Sequence, residues 1–104
     1  MGRTIVKCKY TNFDGLQERI SNLLRQRRYK HMTENNEDVW KCGFGIGVRK
    51  YIKIEFAENN TLVISGWVRD IGTDEQELKG FVCSVPKKQV RNVVNEIQTL
   101  VKYE

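Results

Sequence analysis

Three glycines alternate with apolar residues in the stretch KCGFGIGVRK, residues 41–50, and the stretch raises the question of phosphate binding. A dinucleotide-binding loop needs the spacing G-x-G-x-x-G between a strand and a helix, because the helix N-terminus binds the phosphate. Here the third glycine comes one residue early, and residues 48–56 alternate as a strand does. The Gly-Lys-Ser/Thr of a P-loop is also missing. We therefore predict a hairpin around Gly45-Ile46-Gly47, a bend or bulge at Gly43, and no cofactor.

Residue types suited to catalysis or metal binding are few and scattered. His31 is the one histidine and lies in a basic segment, whereas the acidic residues cluster in predicted turns, so no acid–base pair can be assigned. Cys8, Cys42 and Cys83 are odd in number and far apart, which fits neither a disulfide framework nor a zinc site. We predict no enzyme activity and no metal, a surface position for His31, and reduced, buried thiols typical of a cytoplasmic protein.

The basic residues are concentrated in the first third of the chain. Residues 1–30 have a net charge of +6 and the remaining residues a net charge of −1, which together make +5. Such asymmetry can mark an anion-binding surface. Candidate anion contacts lie at the end of the first predicted helix and in the first turn of the last one, and they are Arg25, Arg27, Arg28, Lys87 and Lys88. The alternatives are dipole complementarity for the first group and two exposed lysines without a ligand for the second.

The spacing of apolar residues predicts the element order β-α-β-β-β-β-α. One helix is predicted over residues 13–28, with its N-cap at Thr11-Asn12, and another from Ser84, where Pro86 suits the first turn. Strands are predicted at residues 4–10, 29–33, 39–44, 48–56 and 61–69, and an acidic loop at 70–79. Consecutive strands favour an antiparallel sheet, and both helices then pack most economically on one face of it. The sequence therefore predicts a single α+β domain.

Strand alternation places cations and aromatic residues together on the sheet face opposite the helices. These residues are Lys7, Lys9, Arg49, Tyr51, Lys53, Trp67 and Arg69. Such a mixture is typical of protein interfaces, and equally of nucleic-acid platforms where bases stack and phosphates pair. A third interpretation is an amphipathic sheet whose aromatic residues reflect strand propensity. We predict an interaction module that binds a protein or a second copy of itself through this face, with nucleic acid as the alternative and no membrane or small-molecule partner.

The element order resembles one repeat of the TATA-box-binding protein fold, in which a curved antiparallel sheet carries two helices on its convex side. The likeness is one of order, and no DNA-binding motif of that family is present. From Trp67 onward the chain also resembles uncharacterised bacterial domains that often accompany a zinc ribbon, through Trp67, Gly80-Phe81-Val82 and Val85-Pro86-Lys87-Lys88. The cysteines of the ribbon are absent here. The resemblance implies a fold like that of the TATA-box-binding protein and no defined activity.

Overall fold

Five strands and two helices make up the fold in the computed structural model, which describes residues 2–43, 47–70, 72–80 and 82–102. The elements are β1 (Thr4–Lys9), α1 (Leu16–Gln26), β2 (Lys30–Glu34), β3 (Glu37–Cys42), β4 (Arg49–Ala57), β5 (Thr61–Arg69) and α2 (Ser84–Lys102). The strands form one antiparallel sheet in the spatial order β1-β5-β4-β3-β2. The predicted α+β class, element order and antiparallel sheet are confirmed.

Asparagine-containing turns set the register of two hairpins. β2 and β3 are joined by Asn35 and Asn36, whose φ angles are 54° and 63°. Two consecutive residues with positive φ are characteristic of a type I′ turn, and asparagine tolerates that conformation. Asn59 and Asn60, between β4 and β5, also have positive φ. These turns align the strands residue by residue, and so they decide which side chains face one another across the sheet.

Both helices pack on the same face of the sheet, where their apolar stripes share one core with the central strands. Its buried members include Leu16, Ile20 and Leu24 of α1, Val90, Val93, Val94, Ile97 and Val101 of α2, and Ile52, Leu62 and Ile64 of the sheet. Ile54, on the same strand as Ile52, is only half-buried. Neither helix in the described ranges is long and apolar enough to cross a membrane.

α2 approaches β5 closely at Gly66. A β carbon at this position would lie 3.0 Å from Cγ1 of Val90 and 3.1 Å from Cδ1 of Leu78, so a larger residue would push the helix away. Leu78 belongs to the loop that follows β5, and it is part of the core. The loop is held there because the backbone of Gln76 pairs with that of Val68. The prediction of a merely acidic loop missed this contribution to the core.

α1 is shorter than the predicted residues 13–28. Gly15 adopts a left-handed conformation, with φ 72°, immediately before the first helical residue. Oδ1 of Asn12 accepts a hydrogen bond from the N–H of Asp14 at 2.9 Å, which closes a local turn. This side chain does not cap the N-terminus of the helix. The predicted N-cap at Thr11-Asn12 is therefore wrong.

The glycine-rich stretch KCGFGIGVRK connects β3 to its antiparallel neighbour β4. The element that follows Gly47 is a strand, as predicted, and not a helix. Gly43 and Gly47 have φ angles of 99° and 124°, which glycine adopts more readily than other residues. Residues 44–46, the centre of the predicted hairpin, lie outside the described residues.

Candidate functional site

The aromatic pair predicted on the open face of the sheet is buried there. Tyr51 and Trp67 lie directly opposite each other on β4 and β5, and their rings stack with centroids 5.2 Å apart and an interplanar angle of 2°. Each residue is 2% exposed. Together with Val39 they form a second, smaller hydrophobic cluster, separate from the core beneath the helices. The predicted exposure of the two rings is wrong.

Charged side chains close over this cluster. The guanidinium of Arg3 lies with Cζ 3.6 Å from the ring centroid of Trp67. It donates two hydrogen bonds to Glu37, at 2.6 and 2.8 Å, and two to Glu75, at 2.7 and 2.8 Å. Lys53 donates to the same Glu37 carboxylate at 2.8 Å. We call these four charged residues the ionic cover.

The ionic cover changes the acidity of its central carboxyl group. Hydrogen bonds from Arg3 and then from Lys53 lower the pKa of Glu37 to about 2, whereas burial opposes this shift. The carboxylate therefore stays charged at neutral and mildly acidic pH. A charged group at this position holds two cations in place, so Lys53 and Arg3 are part of the fold's own ion pairs.

The other cations of the predicted interaction face donate hydrogen bonds within the protein or lie away from the aromatic pair. Arg49 and Arg69 each donate to a backbone oxygen of residues 70–73, both at 3.4 Å. Lys9 donates to a backbone oxygen of the β4–β5 turn at 2.8 Å. Lys7 is exposed on β1, at the edge of the sheet. The seven residues therefore do not form one open platform of cations and rings.

The five predicted anion contacts have different surroundings. Lys87 is 4% exposed, and its Nζ donates to the backbone oxygen of Lys79 at 2.6 Å, so it fastens the loop before α2. The prediction of an accessible anion contact at Lys87 is wrong. Arg27 forms an ion pair with Glu96. The exposed candidates that remain are Arg25, Arg28 and Lys88.

Residues of like charge face each other across neighbouring strands at the two ends of the sheet. At the end where β2 starts, two pairs of cations lie directly opposite each other, Lys30 with Lys41 and Arg49 with Arg69. At the other end of β2, Glu34 lies opposite Glu37. Like charges in directly opposed positions destabilise a sheet. We call the exposed residues where α1 ends and β2 starts, Arg25, Arg28 and Lys30, the basic corner.

Arg28 occupies a position that glycine usually takes. Its N–H donates to the oxygen of Arg25, and the N–H of Tyr29 donates to the oxygen of Leu24, both at 2.9 Å. These two bonds make the Schellman motif, whose left-handed residue is most often glycine. Arg28 has φ 70°. A residue with a β carbon loses about 1 kcal/mol in this conformation, so the chain keeps a cation where glycine would be more stable.

Glu34 pairs with Lys41, a cation of this end of the sheet, at 2.8 Å, and further acidic residues lie near the opposite edge. They belong to the loop after β5, where Glu75 reaches Arg3 and Gln76 pairs with Val68. β5 and β2 are three strand spacings apart in the sheet, about 14 Å. This separation exceeds the Debye length of about 8 Å at physiological salt, so the loop neutralises the basic corner weakly.

A cavity of about 330 Å³ lies beside the basic corner, between α1 and the hairpin of β2 and β3. His31 lines it and is exposed, as predicted. Its ring stacks on that of Trp40, with centroids 4.9 Å apart and an interplanar angle of 21°. Cζ of Arg25 lies 5.6 Å from the Trp40 ring. Sequence reasoning missed this grouping, because the pairing of His31 with Trp40 depends on the register of the hairpin.

The cysteines and acidic residues do not assemble a metal site in the described part of the chain. Cys8, Cys42 and Cys83 are free thiols, and each is half-buried, so the predicted burial of the thiols is only partial. Among the described residues, no three His, Cys, Asp or Glu side chains come together in a way that could hold a metal ion. The clustered chemistry of this surface is therefore that of cations and aromatic rings.

Comparison of the chain with protein-family models, curated proteins and solved structures finds no match. The resemblances to the TATA-box-binding protein fold and to domains that accompany a zinc ribbon therefore stay predictions.

Proposed function

We propose that this protein binds nucleic acid through the basic corner. The observation that carries the proposal is Arg28, a cation in the left-handed position of a Schellman motif where glycine would cost less. Arg25 and Lys30 flank it, and all three are exposed. None of the three takes part in an ion pair within the described residues. Guanidinium and ammonium groups held in this way suit the phosphates of a nucleic-acid backbone.

The covered aromatic pair of the open sheet face favours a charged polymer over an apolar protein partner at that face. Protein interfaces depend on a few accessible aromatic anchors, and Tyr51 and Trp67 lie beneath the ionic cover. Binding to phosphates instead gains affinity from the release of counterions, and this requires exposed cations. The net charge of +5 adds long-range attraction of the same sign.

Fluorescence anisotropy with dye-labelled oligonucleotides, single-stranded and duplex, tests the proposal. Arg28→Glu and Lys30→Glu are each expected to weaken binding about tenfold, because each removes a phosphate contact and adds a repulsive charge. Lys7→Glu is the matched control, since it makes the same charge change on β1, at the opposite edge of the sheet. Equal weakening by Lys7→Glu and Lys30→Glu would mean that net charge alone attracts the oligonucleotide.

Self-association is a second candidate function, and Ile5 favours it. Ile5 is 59% exposed and lies on the edge strand β1, the kind of strand that pairs with another chain. Lys7 and Lys9 on the same strand oppose such pairing by charge repulsion. Size-exclusion chromatography with light scattering tests this candidate. A dimer that Ile5→Lys converts to a monomer supports it, and a wild-type protein that stays monomeric at high concentration contradicts it.

A further inference from the structure

A stack of aromatic rings forms one wall of the cavity beside the basic corner. Trp40 is 7% exposed beneath His31, whereas His31 itself is exposed. The accessible His31 ring lines the cavity. Proteins that bind single-stranded nucleic acid stack bases on aromatic side chains, histidine included. Such stacking is open to every base, because each has a π face.

Polar groups line the other sides of the cavity. α1 presents Gln17, Ser21 and Arg25, spaced one turn apart along one side of the helix. Asp38 lines the cavity from β3, and its Oδ1 accepts the hydroxyl of Thr33 at 3.0 Å. The second carboxylate oxygen of Asp38 is an acceptor for a ligand. Among the bases, guanine offers a ring N–H and an amino group side by side on its Watson–Crick edge, which suits a carboxylate.

The size of the cavity suits a single small ligand. Its volume of about 330 Å³ falls at the lower end of the range for small-molecule sites. Ile54 and Phe56 supply an apolar surface within it, and both are half-buried. A flat ring inserted there would cover apolar side chains while its edge meets polar ones.

From this arrangement we infer that the cavity binds one base of a bound single strand, with guanine preferred, by stacking on His31 and hydrogen bonding to Asp38. Arg25 lines the cavity and belongs to the basic corner, so a phosphate on that corner and a base in the cavity can come from neighbouring parts of one strand. The inference rests on the proposed function. It adds to that function a strand preference and a base preference, which phosphate contacts alone do not provide.

The test uses a five-unit chain of abasic deoxyribose phosphates that carries either no base or a single guanine, adenine, cytosine or thymine at its centre. Anisotropy measures its affinity for the full chain. The guanine-carrying chain is expected to bind at least about fivefold more tightly than the abasic one, from stacking. His31→Ala should abolish this gain and His31→Phe should keep it, because phenylalanine retains a ring. Asp38→Asn should remove the preference for guanine while the gain from stacking stays.

Each outcome of this experiment has a distinct meaning. Equal affinity for the abasic and guanine-carrying chains, with tight binding of both, would overturn the base site and leave the proposed function standing. If the abasic chain, the guanine-carrying chain and ordinary oligonucleotides all failed to bind, both the proposed function and the base site would be overturned. A gain that survives His31→Ala would also overturn the inference, and an equal gain for all four bases would overturn the role of Asp38.

Discussion

Arg3 stacks on Trp67, with its guanidinium carbon 3.6 Å from the ring centroid, and so places a cation over the centre of the sheet face that the helices leave open. The same guanidinium bridges Glu37 of β3 and Glu75 of the loop after β5. One side chain near the N-terminus therefore ties together two distant parts of the chain. The sequence predicts exposed aromatic residues on this face, whereas this contact covers them.

The first prediction concerns this contact. Arg3→Ala is expected to destabilise the fold by about 1–2 kcal/mol, through loss of the cation–π contact and of hydrogen bonds between charged groups. It should also shift the tryptophan fluorescence of the protein to longer wavelength as water reaches the Trp67 ring. Arg3→Lys is the control, because it keeps the charge and loses the bidentate geometry, and it should give a smaller effect of each kind. Unchanged fluorescence in Arg3→Ala would contradict the account of the ionic cover.

A second prediction follows from the acidity of Glu37. Because its pKa in the folded state is about 2, below the ordinary value of 4.5, the folded state favours the carboxylate more than the unfolded state does. The resulting stabilisation is complete above the ordinary pKa and is lost as the pH falls toward 2. Urea unfolding at pH 7, 4 and 2.5 should show this loss, and Glu37→Gln should show a weaker pH dependence. Identical pH dependence in both proteins would exclude this carboxyl group as the cause.

The periodicity of apolar residues predicted the strands and helices well, because the apolar stripe of a helix and the alternation of a strand are local patterns. The strand predicted at residues 61–69 is β5, Thr61–Arg69, and the stripe of α2 lies in the core. The surface was less predictable. Whether Trp67 is exposed depends on Arg3, and whether Lys87 is accessible depends on the backbone oxygen of Lys79. Contacts of this kind depend on how distant segments meet, and no local pattern records them.

A third prediction concerns a hydroxyl group in the core. Tyr29 is 3% exposed, and its hydroxyl has no hydrogen-bond partner within the described residues, while burial raises its pKa. An unsatisfied buried hydroxyl costs about 1–3 kcal/mol, so Tyr29→Phe should stabilise the fold by about 1 kcal/mol. Tyr51→Phe is the matched control, because that hydroxyl donates to Glu34 at 2.7 Å, and its loss should destabilise. Denaturant unfolding that ranks the two variants in the opposite order would contradict the assignment.

A fourth prediction separates stability from binding at Arg28. Arg28→Gly should stabilise the fold by about 1 kcal/mol, because glycine adopts φ 70° without a steric penalty. The same change removes a cation, so oligonucleotide binding should weaken. Arg28→Ala provides the control, since it removes the charge and retains the β carbon: binding should weaken without the gain in stability. Thermal unfolding measures one effect and anisotropy the other, and a less stable Arg28→Gly would refute the left-handed assignment.

The central claim, that Arg28 and its neighbours contact phosphates, is tested most directly by the salt dependence of binding to a short single strand. We predict that the logarithm of the association constant falls linearly with the logarithm of the salt concentration, with a slope near −2 for the three cations of the basic corner. Arg28→Gly should reduce the magnitude of the slope by about 0.7, while Lys7→Glu should leave it unchanged. A slope that is the same in the wild type and in Arg28→Gly, or binding that salt does not affect, would contradict the account.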